Sequence, residues 1–181
     1  SFISKETSCK TASLLGGFVI VRTNPLNVVS IEPPKGLILC IAIPKMDVPK
    51  KKTEVARSVL PENVLLKHVV SNVANAGMIV AGFMRKDVDL ITGAINDVIV
   101  EPARAHLIPG YDEVKKNALN AGALAVTISG AGPSMIAFMK EGNQDQKKIC
   151  KAMEDGFGSA NIQCRTLHCC TSKGATVLQS N

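Results

Sequence analysis

Three groups of residues have types and spacings that could do chemistry. The sharpest is Ser129-Gly130-Ala131-Gly132-Pro133, set between two apolar runs. Two glycines and an alanine leave backbone N–H groups unshielded, so an anionic oxygen could approach them closely, and the serine adds a hydroxyl donor. The same residues would also serve as a plain hairpin loop whose glycines permit positive φ. They form neither a Walker loop nor a GxGxxG fingerprint. The second group is a pair of arginines. Arg57 follows Thr53 by four residues, one turn along a helix, and Arg104 lies in Glu101-Pro102-Ala103-Arg104, ahead of Leu107-Ile108-Pro109-Gly110. A guanidinium is a natural fork for a carboxylate or phosphate, although each arginine taken singly reads as a surface ion-pair residue. The third group is Asp97 and Glu101, four apart. Such a pair could hold Mg²⁺ or act as acid and base, but a role in orienting Arg104 or a helix end is the preferred reading. His68 and His106 lack nucleophile partners, no CxxC pair exists, and His168 beside Cys169 has no partners at zinc spacing. No metal site is expected.

Composition narrows the function classes. The chain has 181 residues, 46% hydrophobic and 20% charged, the balance of a folded domain with a sizeable core. Its net charge of +6 could attract an anionic small molecule, a phosphate or a nucleic acid. With five Phe, one Tyr and no Trp, stacking platforms are scarce, so no nucleic-acid partner is expected. The one dense basic run, Lys50-Lys51-Lys52, reads as a solvated loop. The six cysteines are scattered and read as reduced thiols of a cytoplasmic protein. The uncharged run from Val69 to Met84 is short and interrupted by Ser71, Asn72 and Asn75, so no membrane segment is expected.

The elements that must position these groups follow from periodicity. Phe18 to Arg22 and Asn27 to Ile31 read as a strand pair joined by Thr23-Asn24-Pro25-Leu26. Leu37 to Ile43 is a continuous apolar run typical of a central strand. Thr53 can cap a short helix that Pro61 stops. Leu66, Val69, Val70, Val73, Gly77, Val80, Ala81 and Met84 recur at helical spacing, and the helix is expected to bury Val69, Val73 and Val80 against the sheet. Asp87 caps a second piece, and Tyr111 to Ala121 is a helix stopped by Gly122. Leu124 to Ile128 and Ser134 to Met139 are strands, Asp145 to Phe157 is a helix, Ile162 to His168 is a strand, and Gly174 to Leu178 is a candidate final strand. From Leu37 onward the order reduces to βαββαβ with extra helices: an α/β (α+β), two-layer, ferredoxin-like sheet with helices on one face.

Taken in order, these motifs resemble one family. Asp97-x3-Glu101-Pro102-x-Arg104-x2-Leu107-Ile108-Pro109-Gly110, then Gly122-Ala123, then Thr127-Ile128-Ser129-Gly130-Ala131-Gly132-Pro133-Ser134 look like the C-terminal half of the homoserine kinases, within the GHMP small-molecule kinases. Leu14-Leu15-Gly16-Gly17-Phe18-Val19-Ile20, Val48-Pro49 and Thr53-Glu54-x2-Arg57-x2-Leu60-Pro61 match upstream. The resemblance implies the ferredoxin-like C-terminal domain of that family. It implies ATP and Mg²⁺ as cofactors, and transfer of the γ-phosphoryl group to the hydroxyl of L-homoserine on the threonine pathway. It implies that Arg57 and Arg104 grip the homoserine carboxylate with Thr53 nearby, and that Ser129, Gly130, Ala131 and Gly132 line the active site as a glycine loop. The two arginines are expected to converge beside Gly130. It assigns no catalytic residue here, and a homodimer is left open. The family's ATP-binding stretch, Pro-x3-Gly-Leu-Gly-Ser-Ser-Ala-Ala, is not in this sequence, and Glu6-Thr7-Ser8-Cys9 stands where the family has His-x-Asp-Asn. Residues 1–36 are therefore expected to be a remnant of an N-terminal kinase domain, with 1–13 atypical, and 37–181 the C-terminal domain. The alternative reading is a ferredoxin-like module that binds an amino acid without turning it over.

Overall fold

The computed structural model describes residues 7–47, 50–142 and 145–177. Helix α1 (Thr7–Leu15) leads into the hairpin β1 (Phe18–Thr23) and β2 (Leu26–Ile31), followed by β3 (Leu37–Pro44). Five helices come next: α2 (Lys52–Ser58), α3 (Leu66–Arg85), α4 (Val88–Gly93), α5 (Val100–Ala105) and α6 (Tyr111–Asn120). The chain closes with β4 (Ala125–Ile128), β5 (Met135–Lys140), α7 (Gln146–Gly158) and β6 (Cys164–Cys170). Strands β3 to β6 form one four-stranded antiparallel sheet in the order β4-β5-β3-β6. Its first strand in sequence, β3, lies at the centre, which is the βαββαβ plan expected from the apolar run Leu37 to Ile43. The β1–β2 pair is a separate two-stranded sheet.

Alternation along β3 sorts two cores onto the two faces of the sheet. Ile38, Cys40 and Ala42 point to one face, where they meet Val114 and Ala118 of α6 and Ile149, Met153 and Phe157 of α7. The two helices approach closely because Gly156 has no side chain: a Cβ there would lie 2.5 Å from the Val114 Cα. Leu37 points to the other face, toward Phe83 of α3 and Val88 and Ile91 of α4, with Phe18 and Ile31 of the hairpin packed alongside. The extra helices and the hairpin thus supply partial cover on the second face.

Local signals mostly act as their chemistry requires. Asp87 and Asp145 cap α4 and α7, accepting from the amides of Leu90 and Lys148. Three expectations are corrected. Thr53 does not cap α2: the helix begins at Lys52, and its N-terminus has no side-chain cap. The residues 174–177 form no strand, Lys173 makes a single bridge to Gly16, and Leu178 lies outside the described residues. The long helix α3 is present, but its apolar stripe is not on the sheet: Val69 is 36% and Val73 66% exposed, and Val80 is only half-buried. The residues that α3 buries are Gly82 and Phe83, at its C-terminal end. No helix among the described residues is long and apolar enough to cross a membrane.

Candidate functional site

The loop Ser129 to Pro133 joins β4 to β5. It closes on itself: the Ser129 amide donates to the Ser134 carbonyl at 2.8 Å, and the Gly132 amide to the Ser129 carbonyl at 3.0 Å. Gly130 and Gly132 both hold positive φ, 61° and 73°. At Gly132 the requirement is also steric, because a Cβ would come 3.1 Å from Ile108 Cδ1 and 3.3 Å from Ile128 Cγ2. The plain hairpin reading therefore holds for the backbone. The amides of Gly130 and Ala131, however, donate to nothing among the described residues, and the space around the Gly130 Cα is open. Two consecutive unengaged amides at a glycine turn are suited to an anionic oxygen.

Arg104 reaches this loop from α5. Its Nε donates to the Ala56 carbonyl at 2.9 Å and a terminal nitrogen to the Gly130 carbonyl at 3.2 Å. Two backbone carbonyls thus fix the guanidinium between α2 and the loop, and its remaining N–H donors stay available to a ligand. A recess opens at this junction, lined by Lys52, Val55 and Ala56 of α2, Arg104, Ile108, and the loop residues Ala131 and Gly132 among others. The Lys52 ammonium donates to the Gly132 carbonyl at 3.4 Å. By sequence alone Lys52 belongs to a solvated basic run. Its neighbour Lys51 fits that reading, exposed and paired with Glu54 at 3.1 Å. Neighbouring residues point about 100° apart around a helix, and 52, 55 and 56 share the face of α2 turned to the recess. Thr53 and Arg57 are exposed and do not line it. The structure brings Arg104 to Gly130 but does not seat Arg57 in the same recess.

The two carboxylates of the third group serve the scaffold. Asp97 Oδ1 accepts from the amides of Ile99 and Val100 at 2.8 and 2.9 Å and from Asn72 Nδ2 at 2.8 Å, while Oδ2 accepts from the Glu101 amide at 3.2 Å. Burial alone would raise the Asp97 pKa. The bonds from Ile99, Val100, Asn72 and Glu101 outweigh burial and hold it below its ordinary value. Asp97 therefore orients the start of α5, as preferred from sequence. Glu101 is buried and turns inward, away from the helix end. It accepts from the Tyr111 hydroxyl, the Lys115 ammonium at 2.6 Å and the Thr127 hydroxyl, tying α5 to α6 and β4. Burial first, then the bond to Glu101, raises the Tyr111 pKa, so the phenol stays a donor. Sequence spacing could not find this network, because its members lie up to 26 positions apart.

ATP and Mg²⁺ fit these residues unequally. The Gly130 and Ala131 amides, Arg104 and Lys52 suit a phosphate or carboxylate. Among the described residues no three of His, Cys, Asp and Glu come together in a way that could hold a metal ion. Cys40, Cys150, Cys164, Cys169 and Cys170 are free thiols. Burial, and secondarily the nearby Glu154, push Cys164 up to about 11, away from thiolate chemistry.

Residues 79–156 match the family described as GHMP kinases C terminal. That segment runs from within α3 to within α7 and contains Arg104 and the whole glycine loop. The class is thus defined by likeness: residues 79–156 are similar to the C-terminal domain of the GHMP kinases. Within that class it is similar to homoserine kinases. It is 42% identical over 146 residues to the homoserine kinase of Chlorobaculum tepidum, covering 80% of this chain and 44% of that protein. It is 45% identical over 137 residues to that of Pyrobaculum islandicum, covering 76% and 45%. The crystal structure of homoserine kinase from Cytophaga hutchinsonii superimposes with a TM-score of 0.82 at 40% identity, over 91% of this chain and 51% of that one. The chain spans about half the length of the relatives it matches.

Proposed function

We propose that this chain is the C-terminal portion of an ATP-dependent homoserine kinase, which makes O-phospho-L-homoserine in threonine biosynthesis in the cytoplasm. The observation that carries the site reading is the junction of Arg104 with the glycine loop. A guanidinium fixed by two carbonyls stands beside two unengaged amides, so two anionic groups can be held side by side. In this reading Arg104 takes the carboxylate of L-homoserine. The Ser129–Gly132 loop meets the arriving phosphoryl group. Phosphoryl transfer needs mostly position and charge stabilisation, which backbone amides and guanidiniums provide. ATP supplies the phosphoryl group and Mg²⁺ neutralises its charge. The chain's own carboxylates Asp97 and Glu101 are occupied in the scaffold, so the reading draws the metal shell and the nucleotide cradle from outside these residues.

The test uses a fusion of the N-terminal half of the Chlorobaculum tepidum relative to this chain. A coupled ADP-release assay with MgATP and L-homoserine is expected to show turnover in the usual kinase range, about 1–100 per second, and the 181-residue chain by itself far less. Arg104→Lys keeps the charge but loses the fork, and is expected to lower kcat/KM for homoserine at least about tenfold. Full turnover in Arg104→Lys would remove Arg104 from the site. A fusion that phosphorylates another small alcohol in preference to homoserine would overturn the substrate assignment.

A further inference from the structure

Three segments from distant parts of the chain bring cations to one open cavity of about 510 Å³. Lys35 comes from the turn between β2 and β3, Arg85 and Lys86 from the end of α3, and Lys140 from the end of β5. Asp87 and Glu141 are the carboxylates of the lining. The cavity lies at the opposite end of β5 from the glycine loop, since Leu37 pairs with Lys140 whereas Ala42 pairs with Met135. The intervening strand puts about 17 Å between the two places.

Two of these cations are already engaged. Lys140 pairs with Asp89 at 2.7 Å, and Lys86 donates to the Glu32 carbonyl and stands 3.8 Å from the Glu32 carboxylate. Lys35 and Arg85 have neither an ion pair nor a hydrogen bond among the described residues. The dipole of α3 accounts for cations in its last turn, but not for Lys35, which reaches the same cavity from a separate turn. The backbone there adds donors. Gly36 holds φ 85°, the Leu37 amide closes the turn onto the Pro34 carbonyl, and the amides of Lys35 and Gly36 donate to nothing among the described residues. Two carbonyls in the last turn of α3 are taken, Gly82's by the Asp87 amide and Phe83's by the Lys86 amide. Asp87 is occupied as the cap of α4, accepting from the Leu90 amide. Glu141 is then the carboxylate of the lining that opposes an anion.

We propose that this cavity binds a small, multiply charged anion of the phosphate class. Arg85 supplies a planar fork, Lys35 a point charge, and the Lys35-Gly36 turn its unengaged amides. A tetrahedral group with three acceptor oxygens can meet donors that arrive from a turn, a helix end and a strand end, whereas a planar carboxylate has two oxygens to offer. The same three segments carry Leu37, Phe83 and Val88, buried members of the smaller core. A bound anion therefore ties together the face of the sheet that packing holds least. The proposal stands apart from the Arg104 junction and from the homoserine reading.

The experiment titrates pyrophosphate into the ¹⁵N-labelled chain at an ionic strength of about 0.15 M, where diffuse attraction is largely screened. Amide shifts at Lys35, Gly36, Arg85 and Glu141 are expected to move and saturate together. A hundredfold excess over the dissociation constant should raise the melting midpoint by about 5 °C. Lys35→Gln and Arg85→Gln should each weaken binding about two- to fivefold, and Glu141→Gln should strengthen it by a similar factor. All three positions are exposed, so the midpoint without ligand should stay in place. Lys147→Gln, an exposed lysine on α7 away from the cavity, removes the same charge as the first two and should leave affinity unchanged. A parallel titration with ADP separates a bare diphosphate from a nucleotide-borne one, and binding of either at these amides supports the site. Shifts confined to Gly130, Ala131 and Arg104 would overturn the proposal. Equal weakening by Lys147→Gln would also end it, because binding would then follow net charge. So would an affinity that Glu141→Gln leaves unchanged.

Discussion

At Glu101 one carboxylate does the work of a small core. It is 5% exposed, yet it receives a phenol, an ammonium and a hydroxyl from two other elements. Removing it leaves Tyr111 and Thr127 without their partner, while Lys115, with its side chain 33% exposed, can turn to water. Glu101→Ala is therefore expected to cost about 2–4 kcal/mol in urea unfolding, and Glu101→Gln, which keeps an acceptor, about half as much. The effect reaches the candidate site because Arg104 follows Glu101 by one turn of α5. Equal losses in both variants would mean that the side chain's volume, not its bonding, matters there. The chemistry-bearing residues were legible in the sequence to different degrees. The Ser129–Gly132 loop announces itself by its glycines, and Arg104 by its proline-punctuated setting. Lys52 was hidden in a basic run, because which of three lysines turns inward depends on where α2 starts. That start is fixed by backbone geometry and not by a capping side chain.

At the scale of elements, the strand order was readable because alternation and apolar runs belong to the chain itself. The orientation of α3 was not. Its 3.6-residue stripe fixes which residues share a face but does not say what covers that face, and here the covered side carries Asn72 and Asn75. Helices α6 and α7 show the opposite case, where one residue decides an approach. Alanine in place of a mid-helix glycine ordinarily gains about 1 kcal/mol. At Gly156 the added methyl would sit 2.5 Å from the Val114 Cα and 2.7 Å from its nitrogen, both backbone atoms that cannot rotate aside. Forcing the helices apart costs about 1–3 kcal/mol or more, so the contact should win and Gly156→Ala should lower the denaturation midpoint. Gly158, on the same helix with nothing within 4 Å of its would-be Cβ, is the control. Gly158→Ala should be neutral or stabilising, and the same sign at both positions would refute the close approach of α6 and α7.

The whole molecule has two cores on opposite faces of one sheet, and they are not equally deep. The first, under α6 and α7, contains Met135, Ala137, Met139, Ile149, Met153 and Phe157 at 0% exposure. The second, under the hairpin, α3 and α4, has only Leu37, Phe83, Val88 and Ile91 fully inside, with the hairpin residues half-buried. Stability should follow this difference: the hairpin and the end of α3 should open more readily than β3 and β5, which the first core clamps. Phe157→Ala empties the deeper core and is expected to cost about 3–5 kcal/mol, speeding hydrogen exchange at all of the slowest amides together. Phe83→Ala also removes the stacking partner of Phe18. Its loss should appear first as faster exchange in β1, β2 and the last turns of α3, while the central amides of β3 and β5 keep most of their protection. Native-state hydrogen exchange in low denaturant separates the two patterns. If Phe83→Ala accelerates β3 and β5 as much as the hairpin, the two faces unfold as one unit, and the hairpin is a full partner of the deep core.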